Sequence, residues 1–213
     1  MGFRRAPCCG EGWELGSGIQ ELHSGRIVGV QVDSPRMEIP GVLVERLKRV
    51  KLFVCDVDGV LTEARIEMGG GIGERKTFHI RDGLGLRLLQ AEGLKVAWVS
   101  ARPSEATTER ANDLKVDYVR QSPAPKVGVI EEIQRELGIG WDETLYMGDD
   151  VVDLASLKRA GFAAVPADGI HEARALGHYV CRLNGGCGAV REVVDLVLKA
   201  QGRWAAMIEK FTS

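Results

Sequence analysis

Apolar and polar positions along this chain follow two alternating rhythms. Mainly apolar stretches lie at 52–55, 94–99, 116–119, 144–147 and 162–165, with a shorter one at Tyr179-Val180; that at 52–55 runs without any polar residue. Runs without period-2 alternation are those of strands covered on both faces of a parallel sheet. Between them the apolar residues recur at helical spacing. A helix is predicted over 42–50, with apolar residues at 43, 44, 47 and 50. Asp82 is placed as the cap of a helix running to about Glu92 and ended by Gly93. Further helices are predicted over 104–114 behind Pro103, 126–137, 151–160, 170–176 and 189–200. One segment keeps a different period. Ala64, Ile66 and Met68 alternate with charged residues, Gly69 to Gly71 supply a turn, and Lys76, Phe78 and Ile80 resume the alternation. This is a β-hairpin, projecting beside the end of the first strand. Strands alternating with helices predict an α/β fold, a doubly wound parallel sheet. The Gly-Gly-Cys-Gly stretch at 185–188 reads as a flexible link before the last helix.

Residues 1–40 break this rhythm. They are rich in Gly, carry Pro7, Pro35 and Pro40, and hold no sustained period beyond a loose alternation over 27–32. They are expected to be a poorly ordered extension, with Met37 a candidate start of translation, and 41–213 a single domain. The totals narrow the class. With 213 residues, 45% hydrophobic and 27% charged, the chain can build a full core. Lys plus Arg at 28 against Asp plus Glu at 30 leaves a net charge of −2, which gives no footprint for nucleic acid or an anionic membrane. No apolar run reaches membrane-spanning length, and Arg4-Arg5 precede no apolar stretch of the kind a secretory signal has. Five Cys without framework spacing, one inside a buried strand, fit reduced thiols in a cytoplasm.

Candidate chemistry clusters where strands end. Asp56 and Asp58 follow the first strand and Ser100 ends the second. Lys126 opens the helix after the third, and Asp149, Asp150 and Asp153 follow the fourth. In open α/β sheets the carboxyl ends of the strands are where ligands bind. Paired carboxylates beside a buried strand are costly unless a cation sits between them. Oxygen ligands without His or Cys point to Mg²⁺. Carboxylates, a hydroxyl and an ammonium together suit phosphoryl transfer, where catalysis is mostly positioning and charge neutralisation. The gaps from Asp58 to Ser100 and from Ser100 to Lys126 are nearly used up by core elements and the hairpin, so no separate cap domain is expected. A capless site lies open to water. Either its substrate is large or a neighbouring subunit closes it.

The order Asp-x-Asp-Gly-Val-Leu-Thr at 56–62, then Ser100, Lys126 and Gly-Asp-Asp-x-x-Asp at 148–153, resembles the haloacid dehalogenase superfamily. Within it the chain is similar to the 3-deoxy-D-manno-octulosonate 8-phosphate phosphatase family. Phe-His-Ile-Arg-Asp-Gly-Leu-Gly at 78–85 and Gly-Gly-Cys-Gly-Ala-Val-Arg-Glu at 185–192 carry the further likeness, which spans roughly 48–201. The resemblance implies a Rossmannoid core and a Mg²⁺-dependent phosphatase of a phosphorylated sugar acid, acting in the cytoplasm towards a lipopolysaccharide precursor. It implies Asp56 as nucleophile, Asp58 as general acid and base, and Lys126 as the cation between nucleophile and phosphate. Mg²⁺ would be held by Asp56, Asp149 and the backbone carbonyl of Asp58. Ser100, with Ala101 and Arg102, would meet the substrate; Asp150 and Asp153 would orient Lys126 or metal-bound waters. It further implies a homotetramer whose sites are completed by an adjacent chain, with Lys76 and Arg81 candidates for substrate contact. Arg81 could instead pair locally with Asp82.

Two departures from the family wording stand out. Ser100-Ala101-Arg102 replaces the common Thr-Gly-Arg, keeping the donor, and Cys187 stands where a basic residue is frequent. Three rivals keep parts of the picture. One is a phosphatase for a nine-carbon keto sugar acid 9-phosphate, disfavoured by Arg81-Asp82-Gly83. Another is a non-catalytic oligomerisation module like those on sugar-acid cytidylyltransferases, which would not need Asp56, Asp58, Lys126 and Asp149 together. The third, a dehalogenase, would need neither Asp58 nor a metal cluster.

Overall fold

The computed structural model describes residues 40–68 and 73–212. The N-terminal extension before Pro40 and the glycine turn of the hairpin lie outside them. A short helix α1 (Gly41–Lys48) leads into the central strand β1 (Leu52–Cys55). Then come α2 (Ile80–Ala91), β2 (Lys95–Ser100), α3 (Glu105–Asp113) and β3 (Tyr118–Gln121). The second half runs α4 (Lys126–Leu137), β4 (Thr144–Met147), α5 (Leu154–Arg159), β5 (Phe162–Val165), α6 (His171–Leu176) and β6 (Tyr179–Val180). Helices α7 (Ala189–Ala200) and α8 (Trp204–Glu209) close the chain.

The six strands form one sheet in the order β3-β2-β1-β4-β5-β6, every pair parallel. Successive side chains of a strand point to opposite faces, and the core divides accordingly. Phe53, Cys55, Val96, Trp98, Leu145 and Met147 face a cluster with Leu86 and Leu89 of α2 and Val190, Val193 and Val197 of α7. Leu52, Val54, Ala97, Val99 and Tyr146 face the other, with Ile130 and Ile133 of α4, Leu157 and Ala173. Burial on both faces explains why β1 is four apolar residues in a row. Strand order reverses between β1 and β4, the place where an open α/β sheet leaves a crevice. In register there, Cys55 sits beside Met147, and the Asp56 N–H donates to the Met147 carbonyl at 3.0 Å.

Several local expectations are corrected. Asp82 does not cap its own helix, which starts at Ile80; it is buried in α2 and accepts from the backbone N–H groups of Gly188 (3.2 Å) and Arg191 (2.7 Å), capping α7 instead. It pairs with His79 at 3.7 Å rather than with Arg81. The stretch 185–188 is no loose link. The Gly186 N–H donates to the Val60 carbonyl, the Gly185 N–H to Asp168, and an added Cβ at Gly185 would meet the Gly59 carbonyl oxygen at 1.8 Å. Strand β3 starts two residues late because Lys115, at φ 52°, still closes α3. Asp117 then spends its carboxylate on the Val96 N–H and Lys95. The helix expected over 151–160 begins as a 3₁₀ turn, Val151–Asp153. The hairpin is represented by one antiparallel bridge, Glu67 to Arg75. Among the described residues nothing else regular stands between β1 and α2, so no cap domain interrupts the core there.

Candidate active site

Two parallel strand ends bring the acidic residues together. Asp56 leaves β1 with a side chain 8% exposed, and its Oδ1 lies 2.9 Å from the Lys126 ammonium. Gly59 turns the chain away at φ 95°, a conformation L side chains rarely adopt, and its missing Cβ leaves room for Asp149, whose Oδ2 would be 2.0 Å from it. Lys126 is the first residue of α4, where the helix dipole disfavours a cation. Burial also acts to lower its pKa, but Asp56 and Asp153 more than offset this and keep the ammonium charged.

Asp153 is the buried organiser of the cluster. Its Oδ1 accepts from Lys126 Nζ at 2.6 Å and the Tyr146 hydroxyl at 2.5 Å; its Oδ2 accepts from the N–H groups of Asp149 and Asp150 at 2.9 and 3.2 Å. Four donors fill a carboxylate. Asp150 turns outward, exposed, and accepts from the Val151 N–H at 2.6 Å. Asp149 is different: its Oδ1 is buried without a partner. Burial, followed by the charges of Asp153, Asp56 and Asp150, pushes its pKa up to about 8. Burial likewise raises Asp56, with Lys126 pulling the other way.

These features fit a divalent cation. Carboxylate oxygens of Asp56, Asp149 and Asp153 lie within 4.8 Å of one another. Three carboxylates against the single Lys126 ammonium leave two negative charges, which such an ion would balance. Because Asp153 is already fully engaged, the oxygens left for coordination are those of Asp56 and Asp149.

The mouth of the site is built by the hairpin leg and the β2 loop. Lys76, with a fully covered side chain, lies 2.7 Å from Asp58 Oδ1 and 3.2 Å from the Thr107 hydroxyl. Arg102 reaches Asp58 Oδ2 at 3.7 Å and is hydrogen-bonded to Glu74. Ser100 is buried and its hydroxyl exchanges hydrogen bonds with the Arg102 backbone at 3.2 and 3.3 Å. Ala101 is exposed beside it. Arg81 stands exposed on the first turn of α2 and makes no ion pair among the described residues. Sequence reading did not single out Glu74, Thr107 or Tyr146. Glu74 shares the period-2 face of Lys76 and Phe78, and Tyr146 puts a hydroxyl into an otherwise apolar strand, where it must find a partner.

No family model matches the chain. A 3-deoxy-D-manno-octulosonate 8-phosphate phosphatase of Yersinia pestis is 35% identical over 161 residues, covering 76% of this chain and 86% of that protein. The crystal structure of such a phosphatase from Moraxella catarrhalis, in complex with magnesium ion, phosphate ion and KDO, superposes with a TM-score of 0.77 at 36% identity, over 79% of this chain and 97% of that one. The cobalt-bound deoxy-D-mannose-octulosonate 8-phosphate phosphatase of Haemophilus influenzae gives 0.71 at 32% identity, over 74% and 92%. Identity at this level, over nearly the whole of each relative and on the same sheet, places the chain in the 3-deoxy-D-manno-octulosonate 8-phosphate phosphatase family of the haloacid dehalogenase superfamily.

Proposed function

We propose that this protein is a Mg²⁺-dependent phosphatase that hydrolyses 3-deoxy-D-manno-octulosonate 8-phosphate to the free sugar acid and phosphate, a step towards a lipopolysaccharide precursor. The observation that carries the reading is the unpartnered buried oxygen of Asp149, set against Asp56 beside an ammonium that neutralises only part of the charge. The carboxylates of Asp56 and Asp149 and the backbone carbonyl of Asp58 would hold Mg²⁺. When bound, the ion offsets negative charge on the phosphoryl oxygens.

The residues of the chain divide the remaining work. An oxygen of Asp56 attacks phosphorus in line with the ester bond, forming an aspartyl phosphate as the bond to the sugar oxygen breaks. Asp58, 28% exposed at the mouth, gives its proton to that leaving oxygen. It then takes a proton from the water that attacks the aspartyl phosphate, which releases phosphate and restores Asp56. Lys126, fixed between Asp56 and Asp153, neutralises charge on nucleophile and phosphoryl group together. The Ser100 hydroxyl donates to a phosphoryl oxygen, and Ala101 and Arg102 border the substrate. Asp153 holds Lys126, while Asp150 fixes the turn behind Asp149.

Residues 41–213 form the catalytic domain in this reading, and 1–40 an extension to it. Four copies assemble, so that a neighbour covers each open mouth and Arg81 faces the substrate across the interface. A cytoplasmic setting accords with the free thiols of Cys55 and Cys181; among the described residues no helix is long and apolar enough to cross a membrane.

The test is kinetic. Eight- and nine-carbon keto-sugar phosphates are compared with an aryl phosphate, with and without EDTA. Preference for the eight-carbon ester, lost on chelation and restored by Mg²⁺, is expected. Preference for the nine-carbon ester would change the substrate, and turnover indifferent to EDTA would remove the metal.

A further inference from the structure

Four charged side chains meet at the mouth of the site: Asp58, Lys76, Arg102 and Glu74, of which Glu74 and Lys76 have no part in the reaction written above. Glu74 lies on the second leg of the hairpin, with a side chain 17% exposed. Its Oε2 is hydrogen-bonded to Arg102, and its Oε1 accepts from the Ser104 hydroxyl at 2.7 Å and lies 3.6 Å from the Lys76 ammonium. Ser104 is the N-cap of α3, so the carboxylate is tied to a rigid element. Beyond it, Lys76 and Arg102 approach opposite oxygens of Asp58, at 2.7 and 3.7 Å.

This arrangement poses a problem that Glu74 solves. Two cations crowded around one carboxylate repel each other, and Asp58 alone balances only one of them. With Glu74 the two cations face two anions. Lys76 needs little further restraint, because its side chain is fully covered and also meets Thr107. Arg102 does: its side chain is 41% exposed, and a long exposed side chain spreads over many rotamers unless it is held. A guanidinium fixed by one carboxylate still presents its remaining N–H groups in a plane suited to a second.

We propose that Glu74 is a positioning residue that fixes Arg102 and, with Lys76, aims it across Asp58 at the carboxylate end of the substrate. This role rests on the reading of the substrate as a phosphorylated sugar acid. Glu74 itself touches neither the phosphate nor the sugar; both its oxygens are engaged within the chain. Held in this way, Arg102 meets an anionic substrate already oriented, and less freedom is lost on binding.

The test is Glu74→Gln in the full chain, assayed with whichever of the eight- and nine-carbon sugar acid phosphates the wild-type enzyme turns over faster. A small aryl phosphate without a carboxylate is assayed alongside. KM for the sugar acid phosphate should rise about tenfold, the order expected when a charge-assisted hydrogen bond is lost. Its kcat, and both constants for the aryl phosphate, should stay within about twofold. In an Arg102→Ala background, Glu74→Gln should add nothing, because the residue it positions is gone. An unchanged or lower KM, penalties that simply add, or an equal loss on the aryl phosphate with a lower unfolding midpoint would each overturn the role. An enzyme inert to both sugar acids would sink the substrate reading and this role with it. An active enzyme whose KM ignores Glu74 would sink this role alone.

Discussion

Lys126 serves two carboxylates that have different duties, and substitution should separate them. Asp56 gives it one contact at 2.9 Å, whereas Asp153 gives it one at 2.6 Å and also binds a tyrosine hydroxyl and two backbone N–H groups. Asp56→Asn removes the oxygen proposed to attack but leaves the ammonium paired with Asp153. Phosphate release should vanish while the urea midpoint moves little. Asp153→Asn places an amide among four donors and leaves a fully buried cation half-paired. Breaking one side of such a pair costs about 3–5 kcal/mol. That variant should therefore lose turnover and stability together, read by phosphate release and urea unfolding. If instead Asp56→Asn unfolds the protein and Asp153→Asn does not, the division between nucleophile and organiser is reversed.

At the scale of elements, the apolar stretches placed β1, β2, β4 and β5, whose burial on both faces leaves little alternation to mistake, and β3 and β6 followed from shorter stretches between the helices. What they could not show are side chains that finish an element belonging to a distant part of the chain. Asp82 caps α7 across more than a hundred residues, and Asp117 stands in for a missing strand residue at the sheet edge. The small helix α8 was not expected; its Trp204 lies under Lys199 and Arg191, contacts no period reveals. His178 is the most testable case. Its Nδ1 accepts from the Ala163 N–H at 2.9 Å, continuing the β5 to β6 ladder by a side chain. Only neutral imidazole can accept this bond. Burial, then the nearby Arg46, lowers its pKa in the folded state. A folded pKa below the unfolded value of about 6.5 means the unfolded chain takes up the proton more readily. This contribution is thus present above that value and lost as pH falls below it. Thermal midpoints measured between pH 8 and pH 5.5 should drop further in wild type than in His178→Asn, which keeps an acceptor but does not titrate. Equal slopes would show that the bond carries no pH-dependent stability.

For the molecule as a whole, the absent cap sets the remaining question, which is what closes the mouth. The strand-end motifs made the acidic cluster and Lys126 legible, since Asp56 and Ser100 fall where their strands stop, Asp149 in the turn after β4 and Lys126 at the start of α4. Closure by a neighbouring copy, as proposed above, would draw on residues that a single chain leaves exposed. Ile80 is 77% and Leu84 48% exposed, one turn apart on α2, while Met68 on the hairpin is 81% exposed. Large apolar side chains exposed one turn apart, as Ile80 and Leu84 are, mark an association surface. Met68 lies on the same hairpin as Glu74 and Lys76, so a partner seated on the hairpin would come close to the site. If the proposed assembly forms through Ile80 and Leu84, Ile80→Glu combined with Leu84→Glu should convert it to single chains by light scattering. The aryl phosphate, small enough to need no cover, should still be hydrolysed at a similar rate. Turnover of the sugar acid phosphate should fall about tenfold or more, as binding contacts supplied by the neighbour are lost. Single chains with undiminished sugar acid turnover would show that each subunit closes its own site, and a wild-type protein that is already monomeric would leave no neighbour to do so.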